Sequence, residues 1–485
     1  MPSNWPRKKF QFANNWQSNL TSERPAFPIE LKVTRGRGAS TQLHLQLREA
    51  ILEGRLATGF RLPPTRDLAR MLSVARATVV VAYEMLAAEG YVRVRQGDGT
   101  FVQSLRRVSQ VGDLRRASPV QGGAVRGPRF DLRLGYPDVS RFPFDVWRRL
   151  ESRAWRSVAN GGADLSDPAG LAGLREAIVG YASFSRAVSC TADDIVVTSG
   201  ARQAFDLLAR TLAASPGTVV AVEDPGYTPT RNAFAAAGAR IVGVPVDAQG
   251  MVVSHIPPEA KVICVTPSHQ FPLGIAMSPE RRAQLLDHAR RRDAYVVEDD
   301  YDCEYRYDSR PLDALQILEP GRVCYVGTFS KTMFPALRLG YAIVPAALRG
   351  RLLALRGVTD GFGAPAPQLA LTTFIGEGHL HRHVRRMQRI YTERREALLS
   401  GLRERLDGRI AILPSKAGLH FSFRGLSPIN WAEVETRAAE HEIAFERCSR
   451  YAITEEVDAC CAIGFGLLTE SQLAPAVDRL ARLFG

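Results

Sequence analysis

The sequence predicts a multidomain chain. A small α+β unit stands at the front, a large α/β unit with a mostly parallel sheet follows, and a smaller α+β lobe closes the chain. Three observations predict this. Positive charge is concentrated ahead of residue 130, where 21 Lys and Arg stand against 9 Asp and Glu; the rest of the chain carries 42 against 41. Residues 43–102 move from helical apolar spacing to a short alternating hairpin pattern. From Phe130 onward, short apolar runs alternate with longer helical patterns. The 485 residues suggest about three domain-sized units. With 45% hydrophobic and 23% charged residues, wholesale disorder is excluded.

Residues 1–27 hold Asn, Ser, Pro and isolated aromatics without a sustained period, and read as a flexible extension. Residues 28–103 form the front unit. Leu43, Leu47, Ala50 and Ile51 share one helical face, and the helix ends near Gly54. Leu62-Pro-Pro-Thr65 supplies a turn with Thr65 as N-cap, and a short helix runs through Leu68, Ala69 and Leu72. After a turn at Ser73–Ala75, a third helix carries Val79, Ala82, Tyr83 and Leu86 and closes at Gly90. Tyr91–Arg95 alternates as a strand, Gln96-Gly-Asp-Gly-Thr100 turns, and Phe101-Val102 returns. That order is a winged helix-turn-helix. Its third helix would enter a major groove N-terminus first, with Arg76, Ala77 and Thr78 leading. Arg76 suits a guanine edge, and Thr78 with the backbone N–H groups suits a phosphate. Gln96 and Gly97 form the wing tip. Residues 104–129 read as a basic linker, with Arg106, Arg107, Arg115, Arg116, Arg126 and Arg129; a solvated tether and direct DNA contact are equally good readings of it. Concentrated positive charge of this kind is the footprint of a phosphate-backbone binder.

Residues 130–485 form the body. Ile195–Thr198, Thr218–Val222, Lys261–Val265, Ala294–Val297 and Val323–Val326 are expected as buried strands, with helices between them. From about residue 378 the chain becomes helix-rich with late strands. Thr198-Ser-Gly-Ala-Arg follows a strand and opens a helix, so Gly200 and the next N–H groups make an anion site. Lysine is scarce: six Lys stand against 57 Arg, and the body holds only Lys261, Lys331 and Lys416. A lysine kept where arginine is otherwise used can form an imine, which arginine cannot. Lys331 sits after a strand in Gly327-Thr-Phe-Ser-Lys-Thr.

Two resemblances follow. Residues 28–102 resemble the GntR-type winged helix through Leu56-Ala-Thr-Gly-Phe-Arg-Leu-Pro-Pro-Thr-Arg-Asp-Leu-Ala and Arg76-Ala-Thr-Val-Val-Val-Ala-Tyr-Glu-Met-Leu-Ala-Ala-Glu-Gly-Tyr. Residues 130–480 resemble fold-type I, pyridoxal-phosphate-dependent aminotransferases. Both in this order, with Glu298-Asp-Asp-Tyr, Thr266-Pro-Ser-His-Gln and Asp224-Pro-Gly-Tyr, are similar to the MocR/GabR subfamily of GntR regulators. The resemblance adds Arg66, one turn into the second helix, as a DNA contact. It implies that pyridoxal 5'-phosphate is held as an internal aldimine on Lys331. Gly200, Ala201, Arg202, Thr328, Ser330 and Arg338 would hold its phosphate, and Tyr227 would stack on its ring. Asp299, with Asp300 as runner-up, would pair with the pyridine nitrogen, and Tyr301 would bond the phenolic oxygen. The sequence departs from the aminotransferase pattern at three places: Leu165 replaces a Tyr, His269 or Gln270 must serve where Asn is usual, and Ala462 replaces a carboxylate-clamping Arg. Arg447 or Arg450 could take that clamp only if the chain turned them inward.

The implied function is a transcription regulator that senses a small amine or amino acid by aldimine exchange at Lys331. Its partner is a double-stranded DNA operator, and the family dimerises head to tail. Two other readings are an active aminotransferase carrying a DNA-binding domain and a regulator whose body is only a dimer scaffold. Seven scattered cysteines without a CxxC pair argue against a disulfide framework or zinc ribbon, and no metal is expected. No apolar run approaches a membrane span, and residues 1–9 lack a signal peptide's apolar core, so a cytoplasmic location is expected.

Overall fold

The computed structural model describes residues 27–34, 36, 38–95, 97–103, 129–162, 166–186, 188–307, 313–454 and 460–484. Gln96, Leu165, nearly all of the extension and nearly all of the linker lie outside the described residues. The chain divides into two compact units, Met1–Ala124 and Val125–Gly485.

In the first unit, α1 (Ala39–Leu52), α2 (Thr65–Met71) and α3 (Arg76–Ala88) precede an antiparallel hairpin, β1 (Val92–Arg95) and β2 (Gly99–Val102). Leu43, Leu47, Leu68, Val79, Ala82, Leu86, Val92 and Val102 are buried together. This is the apolar stripe that the helical spacing marked. The Tyr83 hydroxyl donates to the Pro63 carbonyl at 2.9 Å and ties α3 to the turn before α2. Thr65 is not the N-cap. Pro64 holds that position with extended ψ, and Thr65 is the first helical residue.

The second unit opens with β3 (Phe130–Asp131), α4 (Phe144–Ala159) and α5 (Ala172–Arg186). Alternating elements follow: β4 (Ile195–Thr198), α6 (Ala201–Leu212), β5 (Val219–Asp224), α7 (Thr228–Ala236), β6 (Arg240–Asp247), β7 (Gly250–Met251), β8 (Val262–Val265), α8 (Pro279–Arg292), β9 (Tyr295–Asp300), α9 (Leu315–Leu318), β10 (Val323–Thr328), β11 (Gly340–Ile343), α10 (Ala346–Thr359) and α11 (Pro365–Gly376). The sheet order is β4-β11-β10-β9-β8-β5-β6-β7. Neighbours from β10 to β6 pair in parallel. β11 runs antiparallel to both β4 and β10, so β4 points the same way as the parallel strands. The five expected strands are present, but the expected set did not include β6, β7 or β11. Gly243 and Pro245 obscure β6, and β11 follows directly on the lysine-bearing turn.

Alternation along each strand splits the core into two faces. Val196, Val220, Val297 and Val326 pack under α6, α7 and α10. Val197, Tyr325 and Tyr341 pack under α4, α5 and α11, whereas Ile263 and Val296 pack under α8 and α9. The small lobe starts with α12 (His379–Leu406) and lays the antiparallel sheet β12-β13-β16-β15 against its helices. Its members are β12 (Ile410–Ile412), β13 (His420–Gly425), α13 (Trp431–Glu440), β14 (Ile443–Ala444), β15 (Glu446–Arg447), β16 (Cys460–Gly464) and α14 (Glu470–Leu483). β14 pairs with β3, so residues 130–131 are stitched into this lobe. Among the described residues, no single helix is long and apolar enough to cross a membrane.

Candidate functional site

Because β4, β5, β8, β9 and β10 point one way, their carboxyl ends share one edge of the sheet, the usual place for a ligand in such a fold. Thr198, Asp224, Val265, Asp300 and Thr328 are the last residues of these strands. At this edge lie nearly all the body residues singled out from the sequence.

The anion cup is built from two segments. Gly200 precedes α6 with φ +82°, a conformation that favours glycine, and no side chain caps the helix. The Arg338 guanidinium lies over it, 3.1 Å from where a Cβ on Gly200 would stand, and donates to the Ser199 carbonyl at 2.6 Å. Thr328 and Ser330 place their hydroxyls 3.1 Å apart at the end of β10. Open N–H groups at a helix start, two hydroxyls and a guanidinium suit a phosphate. Ala201 lies in this first turn. Arg202 stands in the same turn, near enough to the Tyr227 hydroxyl to act on its charge.

Tyr227, Glu223, Thr266 and Asp299 line one cavity. Strand alternation separates Asp299 from Asp300. Asp300 faces the other way and is taken up by Arg186 at 3.3 Å, the Tyr325 hydroxyl at 2.7 Å and Cys303 at 2.9 Å. Arg186 also holds Glu304, and both are fully buried. Burial, with Asp300 adding to it, pushes the Asp299 carboxyl up to about 8. A cationic ring nitrogen at Asp299 would restore its charge. Glu223 is likewise pushed up to about 7 by burial, and its Oε1 has no partner among the described residues.

The Lys331 amine donates to the Gly135 carbonyl at 2.5 Å. Burial holds it below the usual lysine range, against the nearby charges of Asp302 and Asp299. A desolvated amine of this kind is a competent nucleophile toward an aldehyde. The anion cup, the buried carboxyl and the desolvated amine fit pyridoxal phosphate.

Three expectations need correction or relocation. Gln270 is used up within its own loop: its amide donates to the Pro225 and Phe271 carbonyls at 2.8 and 2.7 Å, and its oxygen accepts from Leu273 N–H. No hydrogen of that amide is left for a cofactor oxygen. The Tyr301 hydroxyl donates to the His269 carbonyl at 2.9 Å. Arg447 and Arg450 both turn to Glu435 at 3.6 Å and supply no clamp. Ala462 is fully buried on β16, sharing an apolar cluster with Leu134, Phe271, Tyr301 and Cys460.

In the first unit, Arg66, Arg76 and Ala77 are exposed, and Thr78 is half-buried at the start of α3. Arg76 donates to the Thr65 hydroxyl at 3.3 Å, which joins the two helix N-termini. Gly97 sits at the hairpin tip with φ +79°. The sequence reading passed over Arg61, Arg93 and Arg95, which are exposed around this hairpin. Arg61 and Arg95 lie over the Phe101 ring.

Residues 39–102 match the bacterial regulatory proteins of the gntR family, and residues 132–480 match aminotransferase class I and II. The probable rhizopine catabolism regulatory protein MocR of Rhizobium meliloti is 35% identical over 461 residues, covering 91% of this chain and 93% of that protein. This chain belongs to the MocR/GabR subfamily of GntR transcription regulators. The pyridoxine biosynthesis regulator PdxR of Corynebacterium glutamicum is 33% identical, covering 81% and 84% of the two chains. Among solved structures, Pyrococcus horikoshii kynurenine aminotransferase in complex with PMP shares 26% identity at TM-score 0.67, covering 73% of this regulator and 90% of that enzyme. The regulator thus joins a GntR DNA-binding domain to an aminotransferase-like body.

Gly135, Ser415, Gly418 and His420 also reach this edge and went unread in the sequence; the run Glu298-Asp-Asp-Tyr-Asp302 was read without a role for its last Asp. The available signals were a lone His in the alternating run Leu419-His-Phe-Ser-Phe423 and a third Asp two residues past the end of β9.

Proposed function

We propose that this regulator holds pyridoxal 5'-phosphate at Lys331 and uses the loaded body to sense a small amine or amino acid, changing the affinity of its winged helix for a double-stranded operator. One observation carries the reading. The Lys331 amine, the Asp299 carboxyl and the cup formed by Gly200, Ala201, Thr328, Ser330 and Arg338 converge on one sheet edge in a chain that also carries a GntR domain. When bound, the cofactor supplies a carbonyl carbon that amines attack. The chain's own residues do the rest. The cup would fix the phosphate, Asp299 would hold the ring nitrogen's proton, and Lys331 would hold the carbonyl carbon until an amine competes for it.

The regulator acts as a head-to-tail homodimer, so that two winged helices meet two operator half-sites. An effector that favours one arrangement of the body by about 1–3 kcal/mol changes operator affinity roughly 5–150-fold. Steady transamination is not expected, because Ala462 offers no cation to a substrate carboxylate and Arg447 and Arg450 are held by Glu435. The test combines a visible spectrum with a gel shift. The purified protein supplied with cofactor is expected to absorb near the visible edge, and one member of an amine and amino-acid panel should shift both the band and the retarded DNA. A band that shifts while the gel shift ignores every compound overturns the sensor reading. Repeated cycles of bleaching by an amino acid and recovery with a keto acid establish the aminotransferase.

A further inference from the structure

Three metal-ligating side chains that the proposed function leaves unused come together between the large domain and the small lobe. His269 follows β8, Asp302 follows β9, and His420 opens β13. All three are buried: Asp302 and His420 are 0% exposed and His269 2%. One ligating atom from each lies within 4.8 Å of the other two. We propose that His269, Asp302 and His420 form a binding site for a divalent transition-metal ion, with zinc the best match, and that the ion would pin the small lobe to the large domain.

The donor set is the first argument. Two imidazoles and a carboxylate suit zinc, and on a tetrahedral ion with bonds of about 2.0–2.1 Å the donors stand roughly 3.3 Å apart. His269 Nδ1 and Asp302 Oδ1 are already 3.0 Å apart. His420 lies within 4.8 Å, so seating it on the ion takes at most about 1.5 Å of movement by the lobe. His420 also has a nitrogen to give. A carbonyl only accepts, so Nε2, 3.1 Å from the Pro272 carbonyl, carries the ring hydrogen. Nδ1 is left as a lone pair, buried without a hydrogen-bond partner among the described residues. A metal bond would satisfy it.

The outer contacts are the second argument. Imidazoles and carboxylates that hold a metal are oriented by hydrogen bonds on their far sides. The Pro272 carbonyl does this for His420, and the Leu419 N–H does it for Asp302 by donating to Oδ2 at 3.0 Å. The Ser415 hydroxyl lies 3.4 Å from His269 Nε2. When a metal takes Nδ1, the hydrogen shared with Asp302 moves to Nε2, and Ser415 Oγ accepts it. The Tyr301 hydroxyl, 3.1 Å from His269 Nδ1, is the nearest further oxygen, and it or a water completes four ligands. Gly418 has φ +81°, and a Cβ there would overlap the His269 ring. Only glycine lets the lobe backbone come this close. The three ligands come from distant stretches of chain, so no short spacing announces them in the sequence.

The inference does not rest on the effector reading, and its test uses the cofactor-free full chain, stripped with a chelator and dialysed. Zinc titrated in competition with a chromogenic chelator is expected to bind at one equivalent per chain and to raise the melting temperature. Cobalt(II) is expected to give the intense visible band of a four-coordinate site. His420→Leu and Asp302→Asn should each weaken zinc binding at least tenfold and abolish the band, whereas His379→Ala with His381→Ala, at the start of α12, should bind as wild type. Should both site variants fail to fold, Ser415→Ala decides in their place, with an expected loss of about tenfold. A wild-type chain that takes up no stoichiometric zinc overturns the proposal. So does zinc bound equally well by wild type and by a folded site variant, which would place the metal on surface histidines only.

Discussion

Replacing Arg186 with Met tests whether the carboxyl ends of the strands are held by the buried ion cluster behind them. Arg186 is 2% exposed and is the cation between Asp300 and Glu304. It also contacts the Tyr325 hydroxyl at 3.1 Å. Methionine fills much of the volume but leaves two carboxyl groups buried without a counter-charge. Breaking a buried pair from one side costs about 3–5 kcal/mol. For the unit Val125–Gly485, an unfolding entropy near 2.1 cal/mol/K per residue amounts to about 0.75 kcal/mol/K, so the melting temperature should fall by about 4–7 °C. The orphaned acids would take up protons in the folded state. Their folded pKa values then lie above the unfolded ones, and the variant loses stability as pH rises. Thermal melts of wild type and Arg186→Met at pH 5 and pH 8 should show the gap widening at the higher pH. A shift below about 1 °C, or one equal at both pH values, refutes the reasoning.

Other outcomes are expected from the same geometry. Gly200→Val forces a branched side chain into positive φ beneath Arg338, and should weaken pyridoxal phosphate binding at least tenfold by equilibrium dialysis without unfolding the body. Asp299→Asn should be more stable than wild type at pH 8 in the absence of cofactor. The wild-type carboxyl, raised to about 8, contributes stability that is complete below its unfolded value and is lost as pH rises through 8, at about 1.4 kcal/mol per pH unit. Urea unfolding at pH 4 and 8 reads this, and the two proteins should converge at pH 4. Arg76→Ala should lose about 1–3 kcal/mol of operator binding in fluorescence anisotropy and relax base preference at one position, whereas Arg66→Ala should weaken all sequences alike and flatten the salt dependence.

The front unit was almost fully legible in the sequence, because each helix there buries one stripe and its turns carry Gly or Pro, save the one before α3, where Ser73 takes a positive φ. Thr65 was misread as a cap because sequence gives residue type, whereas capping depends on the ψ of the residue before the helix. In the body, strands buried on both faces were visible as apolar runs. β6 escaped because it lies near a sheet edge, half-exposed, with a glycine and a proline inside it. Lys331 was readable from its rarity and its local turn. Asp302 and His420 were not, because their partners lie far along the chain: Leu419 donates to Asp302 across 117 positions, and Ser415 meets His269 across 146. The use made of Gln270 was equally hidden, since only the folded loop shows which of its hydrogen-bonding atoms remain available.

The cup that joins Ser199 to Arg338 closes a span of 139 positions, and the strands between them must be in register before it exists. A ligand held by this cup therefore cannot nucleate the body; it would arrive last, as a latch on a finished sheet. Whatever holds it adds RT ln(1 + [L]/Kd) to the stability of the unit from Val125 to Gly485, while the winged helix keeps a core of its own. Without such a ligand the chain would keep an intact winged helix beside a body that unfolds more readily.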